Sequence, residues 1–230
     1  MGYTEIILAY FQKFIDKVAS PEKERLIAFY QTLPEEFYLC PATSSDNQSK
    51  IHLVEHGLLY AIYDGLIALQ QFIRARSDII ESWSNNSEYE GSNPESDLIC
   101  AFLLHDCLKY KKNPSGLNVF HDKDCAELCR KKGFNAVICA LVEYMHGQWS
   151  SSLKRENGGI EALKQHKYAD LIWIAHYADM VAAASDSLPV LEAPKPFDKS
   201  IFLKNRQQKF TDNTIDTVWW EEQVNDKQRN

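Results

Sequence analysis

No apolar run in this chain approaches the roughly 20 residues that a membrane-spanning helix requires, so no span is expected. The opening Met1-Gly2-Tyr3-Thr4-Glu5-Ile6 lacks the basic stretch of a secretory leader and has no Ser or Thr at its sixth position. Neither a leader nor a myristoyl anchor is therefore expected. There is no internal repeat, no Gly-rich phosphate loop, and no alternating pattern long enough to demand a sheet. Positive charge is in deficit, with 25 Lys and Arg against 32 Asp and Glu, for a net charge of -7. That balance excludes broad nucleic-acid binding, which needs a cationic surface, but leaves room for a local basic site taking a small phosphorylated ligand. The cysteines Cys40, Cys100, Cys107, Cys125, Cys129 and Cys139 form no CxxC pair and sit in apolar or helical contexts. Buried reduced thiols in a cytoplasmic protein are the expectation.

What is present is helical periodicity. Ile6, Ile7, Tyr10, Phe11, Phe14, Ile15 and Val18 recur at helical spacing, and Ser20-Pro21 offers an N-cap and first-turn proline for a second helix ending at Leu33-Pro34. Pro41 to Ser49 reads as a loop. A long helix is expected from about Ile51 to Arg76, with Leu53, Leu58, Ile62, Leu66 and Leu69 on its inner face. Ser84 to Ser96 reads as an exposed loop, Asp97 to Leu108 as a buried helix, and Lys111 to Gly116 as a basic turn. Helices over Asp122 to Lys132 and Ala136 to His146 are separated by Gly133. After a loop from Trp149 to Gly159, an apolar helix runs from Tyr168 to Ser185. The class expected is all-α, with a helical extension over residues 1–46, a main domain over 47–200 and a polar tail over 201–230.

The strongest chemical feature is Leu103-Leu104-His105-Asp106-Cys107-Leu108-Lys109, an apolar helix ending in an adjacent imidazole and carboxylate. Neighbouring residues on a regular helix point in different directions. For both to serve one ion, the helix must stop or distort there. His56, His121, His146 and Asp179 are further potential ligands that a helical bundle can project into a shared centre. Asp179 stands in an otherwise apolar helix and needs a metal, a cation or several donors if it is buried. Mixed N/O ligation suits a divalent transition metal such as Mn, Fe, Co, Ni or Zn.

The order His56, His105-Asp106, Asp179 resembles the H…HD…D signature of the HD-domain phosphohydrolases. The surrounding words agree: Leu53-Val54-Glu55-His56-Gly57-Leu58-Leu59-Tyr60-Ala61 is similar to the family's first helix. Ala101 to Tyr110 resembles its central LLHDxxK segment, and His176 to Ala182 its closing LxxADxxA helix. The resemblance implies an all-α HD-domain bundle in which His56, His105, Asp106 and Asp179 hold one metal. In the binuclear branch, Asp106 would bridge to a second ion held by His121 and His146. This chain departs from the fuller pattern, with Met145-His146-Gly147 where two adjacent histidines are usual. The implied activity is hydrolysis of a phosphate ester, on a nucleotide or related small molecule, with Asp106 and Lys109 as the catalytic residues.

Metals favour such chemistry because they lower the pKa of water and neutralise phosphoryl charge. Lys109 suits a point-charge contact with phosphate, although a solvated lysine in the Lys109-Tyr110-Lys111-Lys112 turn is an equal alternative. His52, four residues before His56, is a pocket-rim candidate. His176 either orients a ligand or contacts substrate, and Tyr144, Trp149 and Tyr177 are candidates for the pocket wall. His166 is expected to be exposed, Asp122 to cap a helix, and Cys125 and Cys129 to be buried thiols. Two other readings keep the metals: a di-iron oxygenase, and a non-catalytic binding or assembly module. A homo-oligomer is compatible with all three.

Overall fold

The structure is a computed structural model and describes residues 3–42, 57–111, 120–147, 150–152 and 159–182. Among the described residues there is helix and turn but no strand, as the all-α reading expects. No helix among them is long and apolar enough to cross a membrane.

Three short helices lead the chain: α1 (Tyr3–Ile15), α2 (Glu22–Tyr30) and α3 (Glu35–Leu39). The stripe on α1 is buried as its spacing predicts, with Ile7, Phe11 and Phe14 fully enclosed. Ser20 does not cap α2. Its hydroxyl donates instead to Glu24, and Pro21 occupies the cap position without a side-chain bond. The long helix α4 (Gly57–Ala75) buries Leu58, Ile62, Leu66 and Leu69 completely. Its expected first residues, Ile51 to His56 with Leu53, lie outside the described residues. The segment that follows forms a further helix, α5 (Ser77–Ser84), with only Ile79 buried.

The centre of the packing is α6 (Pro94–Leu104), where every residue except Glu95 is buried. It begins earlier than the apolar run implied. Asn93 caps it by accepting from Ser96 N, and Pro94 takes the first turn, where its missing N–H costs nothing. Helices α1, α2, α4 and α5 all pack on α6, as do α8 (Ala136–Tyr144) and α10 (Ala169–Ala182). The remaining elements are α7 (His121–Lys131), against α8, and α9 (Gly159–Lys164). Helix α10 lies chiefly along α4.

Buried polar bonds fix these contacts. Tyr30 donates its hydroxyl to Leu103 O at 2.7 Å, and Ser96 Oγ accepts from Ala19 N at 2.8 Å. Asp97, fully buried in the first turn of α6, accepts from Tyr89 Oη, Ser92 N and Asn135 Nδ2 at 2.7–3.0 Å. One carboxylate thus joins the loop before α6 to the start of α8, where Asn135 is also the N-cap.

Candidate metal centre

Helix α6 stops inside the protein, and its last carbonyls need donors because water cannot reach them. Side chains supply them: Phe102 O accepts from His105 Nδ1 at 2.7 Å, Leu103 O from Tyr30, and Leu104 O from Cys125 Sγ at 3.1 Å. The chain then turns through residues 105–110. This break is the distortion that an adjacent His and Asp require if both are to face one point. Because the Phe102 carbonyl can only accept, His105 carries its proton on Nδ1, and Nε2 keeps its lone pair for the cluster.

Around that break, His105 Nε2 lies 3.5 Å from both Asp106 Oδ2 and Asp179 Oδ1. Asp106 Oδ1 lies 3.1 Å from His121 Nε2 and 3.5 Å from His146 Nε2. Four elements contribute: the turn after α6, the start of α7, the turn after α8, and α10. Two overlapping groups could each hold a metal ion: His105, His146 and Asp179, and Asp106, His121 and His146, with ligand atoms within 4.8 Å of one another. The second group coincides with the set that the sequence resemblance implies for a second ion. The first contains His146 in addition to the implied His105 and Asp179.

The donor chemistry fits a cation. His105 Nε2, Asp106 Oδ1 and His121 Nε2 are buried and make no hydrogen bond among the described residues. The 3.1 Å approach of His121 to Asp106 is not aligned as one. Leaving a buried polar atom unsatisfied costs about 1–3 kcal/mol, and three such atoms in one cluster are what a divalent cation satisfies together. The side chains of His105 and Asp106 are 2% and 5% exposed, whereas those of His121, His146 and Asp179 keep 16–19%. The centre is thus enclosed at His105 and Asp106 and partly exposed at His121, His146 and Asp179.

Charge compensation is strong. Burial alone would raise the Asp106 carboxyl, but the Lys109 ammonium beside it holds it well below the usual carboxylate range. Lys109 Nζ donates to Asp106 Oδ2 at 2.9 Å; burial disfavours its charge, while Asp106 and Asp179 hold its pKa above the ordinary lysine value.

The other expected positions divide. His52, His56 and Trp149 lie outside the described residues. Tyr144 puts its ring against His166, with centroids 5.2 Å apart. His166 is therefore half-buried rather than exposed: it packs between Tyr144 and Tyr168, and its Nδ1 accepts from Tyr168 N at 3.1 Å. Asp122 does not cap α7, whose cap position is Phe120. Its carboxylate accepts from Ser151 N at 2.6 Å and approaches His146 Nδ1 to 3.9 Å, tying the chain after α8 to α7. Cys125 and Cys129 are buried free thiols, as expected. His176 is fully buried, with Nδ1 donating to Met145 O at 2.7 Å, and burial pushes its pKa down to about 4.

The HD-domain family model matches residues 77–184, which span α5 through α10 and include His105, Asp106, His121, His146 and Asp179. The matched segment is thus an HD domain, the mark of a superfamily of metal-dependent hydrolases. No curated protein and no solved structure matches the chain. His56, implied as a ligand by the sequence resemblance, falls before the matched segment.

Proposed function

We propose that this chain is a metal-dependent phosphohydrolase acting on a nucleotide or a related phosphate ester. The observation that carries the reading is the convergence of His105, Asp106, His121, His146 and Asp179 into two overlapping ligand groups that share His146. Lys109 supports an anionic substrate, because its ammonium stands beside Asp106 with part of its side chain exposed. A divalent ion bound there lowers the pKa of water and neutralises charge on a phosphoryl oxygen. The chain's own contribution is positional: Asp106 lies between the two groups, the α6 break fixes the lone pair of His105, and Lys109 holds the Asp106 carboxylate ionised. His56 completes the proposed set from the segment before α4. His52, Tyr144 and Trp149 remain the proposed pocket residues.

The test is release of phosphate or nucleoside from a nucleotide panel with added Mn, Fe, Co, Ni or Zn. Wild type is compared with Asp106→Ala, whose folding is checked by circular dichroism. Metal-dependent turnover that is lost in the variant supports the reading and identifies the substrate class. A metal-loaded wild type that is silent across the panel overturns it. Oxygen-dependent turnover by the iron-loaded protein would replace it with an oxygenase.

A further inference from the structure

We propose that His176 is a positioning residue for the metal centre: its ring fastens the turn that carries His146 to the helix that carries Asp179. The inference rests on reading His146 and Asp179 as metal ligands, and concerns a residue that touches neither the ion nor the substrate.

Two contacts bracket His146 along the backbone. On one side, His176 Nδ1 donates to the carbonyl of Met145 at 2.7 Å, satisfying an acceptor at the end of α8 that the helix itself cannot. On the other side, Gly147 adopts φ +55, and a Cβ there would lie 2.7–2.8 Å from Nε2, Cδ2 and Cε1 of His176. The ring thus lies flat in the space that any other residue's side chain would fill. A glycine is needed twice over at position 147, once for the left-handed backbone and once for the ring. One imidazole therefore holds the residue before His146 and the residue after it.

The same imidazole is fixed on α10. His176 and Asp179 are three residues apart and share a helix face, and Trp173 packs against the ring with centroids 5.4 Å apart. His176 is fully buried, which fits a role in orientation rather than substrate contact. A shift of α10 against α8 would change the separation of His146 from Asp179, and this wedge resists that shift. Proper ligand spacing needs a rigid support, because a site built loosely binds its ion poorly.

The test measures equilibrium affinity for Mn and Zn by competition with a chromophoric chelator, beside thermal melts of the chelator-stripped protein. His176→Leu removes both contacts. His176→Asn keeps a donor near the Nδ1 position, and Gly147→Ala leaves every ligand and His176 in place while intruding on the ring. The expected result is a loss of metal affinity of about 10–100-fold in His176→Leu and Gly147→Ala, with most of it recovered in His176→Asn. If His176→Leu fails to fold, the comparison of Gly147→Ala with His176→Asn decides. Unchanged affinity in folded variants, with only the melting temperature lowered, overturns the inference and leaves the phosphohydrolase reading standing. A wild type that binds no divalent ion overturns both.

Discussion

His105 donates its Nδ1 proton to the carbonyl oxygen of Phe102, 2.7 Å away, and so turns its Nε2 lone pair toward Asp106 and Asp179. The acceptor belongs to the last turn of α6, so the helix end and the ligand orientation are one arrangement. His105→Ala is expected to weaken Mn or Zn affinity by more than about 100-fold, beyond the usual loss for an outer partner. Chelator competition on the folded variant measures this. Retention of wild-type affinity would remove His105 from the centre.

Metal binding should also report itself as stability. An ion present at 100 times its Kd adds about 2.7 kcal/mol when it binds only the folded chain. For a protein of this size that corresponds to a rise in Tm of about 5–11 °C. Differential scanning fluorimetry with Mn, Zn and then excess chelator gives the comparison, with Asp106→Ala as the flat control. An equal rise in the variant would place the ion elsewhere on the molecule.

The residues legible in the sequence are those governed by local periodicity. The inner face of α4 follows from the spacing of Leu58, Ile62, Leu66 and Leu69, all fully buried. The interruption at His105 follows from geometry, since adjacent side chains on an unbroken helix cannot converge. Helix α5 buries only Ile79 and so has no apolar stripe that periodicity could reveal. The start of α6 is not legible in the apolar run, which begins later than the cap, although Asn93-Pro94 carries the cap signal. The packing of His166 against Tyr144 and the wedge of His176 against Gly147 join distant segments, and no local pattern encodes them.

Asp97 should matter for stability and little for the chemistry. It stands eight residues before His105 on or just beyond α6, about 12 Å along the axis at the usual helical rise. Asp97→Ala removes the acceptor of Tyr89 Oη, Ser92 N and Asn135 Nδ2, and is expected to cost about 3 kcal/mol. Burial raises the Asp97 carboxyl despite these donors, so a neutral side chain of the same shape is tolerated better. Asp97→Asn should therefore cost less than Asp97→Ala in urea denaturation, with metal affinity per folded molecule preserved in both. Equal costs would show that shape and acceptor capacity are irrelevant at this position.

Acid should destabilise the metal-free protein in part through His176. Its pKa falls from 6.5 to about 4 on folding, because burial penalises the charged ring. Below pH 6.5 the unfolded chain takes up a proton that the folded chain refuses until about pH 4. Stability contributed by the neutral ring is complete above the first value and is lost progressively as the pH falls toward the second. Between pH 7 and pH 5 the loss amounts to about 2 kcal/mol. Asn does not titrate, so His176→Asn should show a pH slope shallower by that amount in urea denaturation of the chelator-stripped protein. Parallel slopes for wild type and variant would mean that His176 takes up its proton equally in both states, and that its burial does not govern its ionisation.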